Sequence, residues 1–217
     1  MKGNIYQLAK YCIEKYGLIE KDDRVLLGVS GGKDSLVCLS VLRNLSSEIG
    51  FSLLGAYVAY PTENLPKETE NYIKSLVPLY ICKPITDKEL TCSLCAKQRR
   101  RSLLECAEEN NCGKIALAHN YEDNAETCLL NLFTGKGTEP LMPKRTYFEK
   151  YTVIRPFLYV PEKKIISFAE RNSLPVCENQ CENLPKCGRI KIREILKDLQ
   201  NRYPNIYENI LKQETDI

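Results

Sequence analysis

Five short apolar runs recur along the chain, and each is separated from the next by a segment whose apolar residues fall at helical spacing. The runs are Arg24–Val29, Phe51–Ala59, Leu79–Cys82, Lys114–Ala118 and Val153–Pro156; between them Ser35–Leu45, Leu65–Leu76, Cys92–Asn110 and Glu122–Phe133 keep the helical period. Runs that are apolar throughout suit strands buried on both faces, and an intervening helix is the crossover that parallel strands require. The alternation therefore predicts an α/β fold, a Rossmann-like parallel sheet with helices on both faces. Ile5–Tyr16 is an amphipathic helix stopped by Gly17, and Pro161–Arg171, Ile190–Asn201 and Ile206–Lys212 form a helical C-terminal extension. Gly135–Tyr147, rich in glycine, proline and basic residues, reads as a long loop. The expected organisation is an N-terminal helix over residues 1–22, an α/β domain over 23–160 and a helical segment over 161–217.

A net charge of +3 decides nothing about a polyanionic partner, so local clusters must. No stretch approaches the roughly 18 apolar residues of a membrane span, and Met1–Tyr6 lacks the apolar run of a secretory signal, so a cytoplasmic protein is expected. In a reducing compartment eleven cysteines are an unusual number, and some must bind metal or do chemistry. Cys12, Cys38, Cys82, Cys106, Cys112 and Cys128 sit in apolar patterns and read as core residues. Cys92, Cys95, Cys177, Cys181 and Cys187 remain.

The first apolar run ends in Ser30-Gly31-Gly32-Lys33-Asp34-Ser35, at the start of a helix. The spacing from Gly28 to Gly32 is too short for a Walker loop, and Asp34 stands where that loop needs Ser or Thr. What is left is a pair of glycines at a helix N-terminus, where backbone N–H groups and the helix dipole attract an anion. Lys33 adds a cation, and Asp34 calls for a magnesium ion between its carboxylate and a pyrophosphate. The bland alternative is a helix cap made by Ser30 and Asp34. Cys92-Ser93-Leu94-Cys95 opens another helix, with both sulfurs on the first turn and Arg99, Arg100 and Arg101 following, which favours thiolates. Taken alone the pair suits a redox site or half a zinc site. His119 and Asp123 follow the fourth apolar run, and carboxyl ends of parallel strands share one ligand crevice; a structural histidine and a first-turn dipole complement are the alternatives.

The string Ser30–Ser35 after an apolar strand resembles the PP-loop of ATP pyrophosphatases, which split ATP into AMP and pyrophosphate by adenylating a carbonyl oxygen. The resemblance implies that Ser30, Gly31, Gly32, Lys33, Asp34 and Ser35 hold the phosphates of ATP with Mg2+, and that residues 23–160 are a PP-loop ATPase domain. Cys92-Ser-Leu-Cys95 with its arginines, His119 with Asp123 and Glu126-Thr127, and Ile154-Arg155-Pro156 are similar to the tRNA 2-thiocytidine synthase family, from about Arg24 to Pro204. That resemblance implies a tRNA substrate and a 4Fe-4S cluster on Cys92, Cys95 and a third cysteine near the C-terminus, with one iron left open for sulfide. The family's second C-x-x-C corresponds to Cys177-Glu-Asn-Gln-Cys181, which has one residue more; alignment of Arg202-Tyr203-Pro204 implies Cys181, ahead of Cys177 and Cys187. It further implies catalytic roles for Asp34, Asp123 and Arg99 or Arg100, a place for His119 near the nucleotide, a sulfur donor (cysteine desulfurase or free sulfide) and a homodimer.

The function expected is ATP-dependent tRNA 2-thiolation at a cytidine of the anticodon loop. A ligase of the tRNA lysidine synthetase type would use the same loop without needing Cys92 and Cys95. A zinc-stabilised nucleotide- or RNA-binding module would hold zinc in place of iron. Basic residues at Lys97–Arg101, Lys144-Arg145 and Lys186–Arg193 are candidates for RNA contact, whereas Lys163-Lys164 reads as a solvated helix face.

Overall fold

The computed structural model describes residues 3–59, 64–83, 91–177 and 188–212. Helix α1 (Ile5–Tyr16) starts on a capping box between Asn4 and Gln7 and stops at Gly17 in the left-handed region. There follow β1 (Arg24–Gly28), α2 (Lys33–Ile49), β2 (Ser52–Val58), α3 (Lys67–Leu76), β3 (Leu79–Cys82), α4 (Cys92–Glu109), β4 (Lys114–Ala116) and α5 (Tyr121–Phe133). The described chain continues with β5 (Lys144–Tyr147), β6 (Tyr151–Ile154), α6 (Glu162–Arg171), α7 (Gly188–Arg202) and α8 (Ile206–Lys212). The expected elements are all present, with ends displaced by a few residues.

Among the described residues the sheet has six strands in the order β3-β2-β1-β4-β6-β5. The chain winds from β1 outward to β3 and then restarts on the other side with β4, so β1 and β4 flank the switch point where an open parallel sheet carries its ligand. One buried cluster joins α1, α2, α3 and α6 to one face, through residues such as Cys12, Leu39, Ile73 and Ile165. A second joins α4 to the other face, through Leu103, Cys106 and Ala107 against Leu26, Ala56 and Val153. A third fastens α7 and α8 to α5 through Ala125, Ile192, Leu196 and Tyr207. All six cysteines expected in the core are buried.

The long loop expected over Gly135–Tyr147 is corrected at its end. Lys144–Tyr147 is an edge strand, antiparallel to β6 in an otherwise parallel sheet, with Tyr147 opposite Tyr151 and Thr146 opposite Thr152. Phe148 and Glu149 turn the hairpin with φ of 53° and 54°. The β-branched and aromatic residues on both sides of Phe148-Glu149-Lys150 are the hairpin signal that the basic composition concealed. Charged residues at an exposed edge also discourage pairing with another sheet.

Candidate functional site

The turn after β1 is built by its own serines. Ser35 is buried; its hydroxyl donates to the Gly32 carbonyl at 2.9 Å and accepts from the Ser30 amide at 3.1 Å. The Ser30 and Ser35 hydroxyls lie 3.2 Å apart. The two serines thus brace the loop from behind. Gly31 adopts φ of 82°, and Gly32 stands at the N-cap of α2 without any side-chain capping bond. The first-turn amides of α2 are therefore left to an outside acceptor, which argues against a simple helix cap and fits a phosphate group.

Lys33 donates to Asp34 Oδ2 at 2.8 Å and to Glu162 Oε1 at 2.7 Å. Burial opposes the Lys33 charge, but its two carboxylate partners outweigh it and its pKa is raised. The other oxygen of Asp34 accepts from Asn120 Nδ2 at 2.9 Å. Asn120 is itself buried at the N-cap of α5, in a capping box with Asp123. Two strand ends, β1 and β4, are thereby tied across the switch point by one hydrogen bond. Asp123 accepts from the Asn120 amide and faces Arg193 of α7 at 3.4 Å; Arg193 also pairs with fully buried Glu126 at 2.6 Å. His119 Nδ1 accepts from Arg155 Nε at 3.2 Å.

Helix α4 connects the C-terminal end of β3 to the N-terminal end of β4, so it runs against the strands and begins on the side of the glycine loop. Leu103 packs level with Gly28, where an added Cβ would meet it at 3.3 Å. Cys95 lies eight residues earlier, about 12 Å further along the helix axis, so the cysteine pair overhangs the sheet edge that carries the loop. Thr91 caps this helix through the Leu94 amide, and Cys95 is half-buried. The C-x-x-C spacing on a first helical turn suits a shared metal centre. The side chain of Cys92, and all of Cys181 and Cys187, lie outside the described residues.

Cys177 lies against the glycine loop. Its amide donates to the Gly31 carbonyl at 3.0 Å and its Sγ approaches the Ser30 carbonyl at 3.8 Å. Two residues earlier, the Pro175 carbonyl accepts from Thr69 at 2.7 Å, so residues 175–177 strap the loop to α3. Arg99 is half-buried on α4, and Arg100 lies with its guanidinium carbon 5.9 Å from the ring centre of Tyr147. The structure thus brings Ser30–Ser35, Asp123 and His119 to one edge, with Cys95 and Arg100 on the helix beside it. Glu162 and Asn120 were not singled out from sequence; Arg155 stood in the Ile154-Arg155-Pro156 string and Arg193 in the basic Lys186–Arg193 cluster, but without the partners the fold gives them. Glu162 follows Pro161 in a first turn, where an acid is expected for the dipole alone, and Arg193 lies within a basic helix, so neither carried a distinct signal.

Residues 4–199 match the family described as a PP-loop domain. The chain is 33% identical to the tRNA-cytidine(32) 2-sulfurtransferase of Polynucleobacter asymbioticus, over 98% of this chain and 75% of that relative. It is 34% identical to the enzyme of the same name from Neisseria meningitidis, over 91% of this chain and 67% of the relative. Among solved structures it is similar in fold to the U34-tRNA thiolase from Methanococcus maripaludis with its 4Fe-4S cluster, with a TM-score of 0.77 at 20% identity, over 96% of this chain and 76% of that one.

Proposed function

The chain belongs to the PP-loop domain family, alongside the tRNA-cytidine(32) 2-sulfurtransferases it resembles over nearly its whole length, and from that premise we propose that it is an ATP-dependent tRNA sulfurtransferase acting on a cytidine of the anticodon loop. The observation that carries the reading is an uncapped helix N-terminus with Lys33 and Asp34 on the same sheet edge that the Cys92–Cys95 helix overhangs.

The phosphates of ATP lie against the amides of residues 30–35, and Lys33 turns from Asp34 and Glu162 to meet them. That move frees one oxygen of Asp34 for Mg2+, while Asn120 keeps the other in place. The C2 oxygen of the base attacks the α-phosphorus; the bond to pyrophosphate breaks, and an adenylated base results. Sulfide then adds at C2, the C2–O bond breaks, and AMP leaves with its electron pair. Asp123, held by the Asn120 amide and Arg193, orients the base, and Arg99 and Arg100 supply positive charge beside the cysteine pair. His119, fixed by Arg155, borders the nucleotide. A 4Fe-4S cluster would be held by Cys92, Cys95 and Cys181 and would supply the sulfide for this step.

The third ligand of this reading is Cys181, ahead of Cys177, which packs on the glycine loop, and of Cys187. Four residues of chain keep Cys181 within roughly 14 Å of that anchor. In this division residues 23–160 are the ATPase domain and 161–217 deliver the third cysteine. A cysteine desulfurase or free sulfide provides the sulfur, and the protein works in the cytoplasm as a homodimer. No helix among the described residues is long and apolar enough to cross a membrane.

Anaerobic purification should give brown protein containing iron and acid-labile sulfide, and tRNA incubated with it, Mg-ATP and sulfide should yield 2-thiocytidine on nucleoside analysis. Cys181→Ala should lose visible absorbance and thiolation together, while Cys177→Ala keeps the absorbance. An intact cluster in Cys181→Ala refutes the ligand assignment; zinc in place of iron, or no 2-thiocytidine, refutes the function.

A further inference from the structure

Three guanidinium groups converge on one phenol ring between α4 and the edge strand β5. Arg100 and Arg145 lie 5.9 and 5.4 Å from the ring centre of Tyr147. Arg155, just past β6, is only 6% exposed and sits close enough to both arginines to feel their charge. Strand alternation explains the meeting: Arg145 and Tyr147 pair with Val153 and Tyr151, which belong to the core under α4, and Arg155 follows Val153 by two residues. Among the described residues no carboxylate forms an ion pair with any of the three. Arg155 spends its donors on His119 and on the Met142 carbonyl. Arg100 Nε is buried without a hydrogen-bond partner among the described residues. Burial first, and then the neighbouring arginines, push the Arg155 pKa down to about 10 although Tyr147 works the other way.

Grouped positive charge with an unused buried donor is a costly arrangement for the protein by itself, and an anion from outside relieves it. The phosphates of ATP are poorly placed for this, because the glycine loop follows β1 and the groove lies two to three strands further across the sheet, roughly 10–14 Å away. On the opposite face of β5, Lys144 Nζ comes within 3.9 Å of the position a Cβ on Gly17 would take, so positive charge continues around the edge strand toward α1. At the hairpin tip Phe148 stands 82% exposed. Arginines that bond phosphate beside an exposed aromatic ring that stacks a base are the combination that recognises single-stranded RNA.

We propose that the groove between α4 and β5 is a phosphodiester site for the tRNA backbone, with Arg100 and Arg145 contacting the phosphate, Arg155 holding the buried positive charge behind them and Phe148 offering a stacking surface. The inference rests on the tRNA sulfurtransferase reading, which it deepens by locating where substrate lies relative to Cys95 on the same helix.

The test is filter binding of unmodified tRNA across a salt series by the anaerobically purified protein and by Arg145→Gln, Arg100→Gln and Arg145→Lys. Each glutamine variant should bind about tenfold more weakly at low salt, and the slope of log K against log salt should fall by about 1. Arg145→Lys should keep the slope and lose part of the affinity, and Mg-ATP affinity should stay at the wild-type value in Arg145→Gln. Wild-type slopes in both glutamine variants, with 2-thiocytidine still formed by the wild type, overturn the groove and leave the sulfurtransferase standing. Arginine-dependent slopes without 2-thiocytidine support the groove and refute the sulfurtransferase. A wild-type protein that binds no tRNA refutes both.

Discussion

Gly31→Ala should weaken the nucleotide loop for two separable reasons. Gly31 has φ of 82°, a conformation that costs an L-residue about 1–3 kcal/mol. An added Cβ would also lie 2.3 Å from Cys177 Sγ and 2.9 Å from Leu65 Cδ1. Both obstacles are ends of side chains that can turn aside, so this second part costs about 1 kcal/mol of off-rotamer strain and requires no backbone rebuilding. The sum is about 2–4 kcal/mol. If the altered loop keeps its shape, the loss appears as lower stability to urea. If it relaxes in the absence of nucleotide, it appears as roughly thirtyfold to several-hundredfold weaker Mg-ATP binding. Calorimetric ATP titration and urea unfolding, taken together, should recover the whole. Adding Cys177→Ala removes the nearer obstacle and should return part of that ~1 kcal/mol, leaving the φ penalty and Leu65 in place. The reasoning is refuted if Gly31→Ala is silent in both assays, or if Cys177→Ala restores it completely.

The remaining predictions concern the charges that hold α6 and α7 to the site. Arg193→Ala takes the guanidinium away from the buried Glu126 carboxylate and should cost roughly 2–4 kcal/mol in urea, low for loss of a buried pair because the Arg193 side chain is 35% exposed. Glu126→Gln removes the charge itself and should cost less; equal and negligible losses in both variants would show that the pair does not anchor α7. At Glu162, burial raises the pKa, but the hydrogen bond and charge of Lys33 outweigh it and the net shift is downward. A depressed carboxylate contributes stability above its unfolded pKa and loses it as pH falls through the folded one. Glu162→Gln should therefore flatten the decline of stability on the acid side of the ordinary glutamate range, as read from urea melts at a series of pH values. An acid limb identical to wild type would exclude the Lys33–Glu162 pair as its cause. Glu122, raised by burial first and in part by the Glu162 charge, acts in the opposite sense, and the substitution lessens its upward shift and so partly offsets the flattening.

Strands β1, β2 and β4 were legible because each is a largely apolar run, as burial on both faces requires, and β3, an edge strand with Tyr80 and Ile81 exposed, was legible because its four residues are all apolar. β5 was not, because Lys144-Arg145-Thr146-Tyr147 carries a charge on each face and only Tyr147 is even partly buried. The glycine loop and the cysteine pair were legible for a different reason. Their chemistry depends on neighbours in sequence, which supply the helix start and the three-residue spacing. Asn120, Glu162 and Arg193 act on residues far away in the chain, at separations of 86 residues for Asn120–Asp34 and 67 for Arg193–Glu126. A capping asparagine, a first-turn glutamate and one arginine among many are common in any α/β sequence, so only the fold reveals what they touch.

The strap formed by residues 175–177 gives the nucleotide loop a second connection that matters for the order of events. The Gly31 carbonyl accepts from the Cys177 amide, and Thr69 holds Pro175, so the loop cannot change shape without pulling on the chain that leads directly to Cys181. A loop that moves when Lys33 leaves Asp34 and Glu162 for a phosphate would pull on residues 175–177. Since linkage is reciprocal, a third cysteine fixed by a cluster would in turn favour one loop shape and alter the affinity for ATP. The sign of that effect is open to measurement by comparing Mg-ATP affinity in cluster-loaded and cluster-free protein. A strap loosened by Thr69→Ala should reduce the difference between the two, whereas an equal difference in wild type and Thr69→Ala would mean that the two sites do not communicate through residues 175–177.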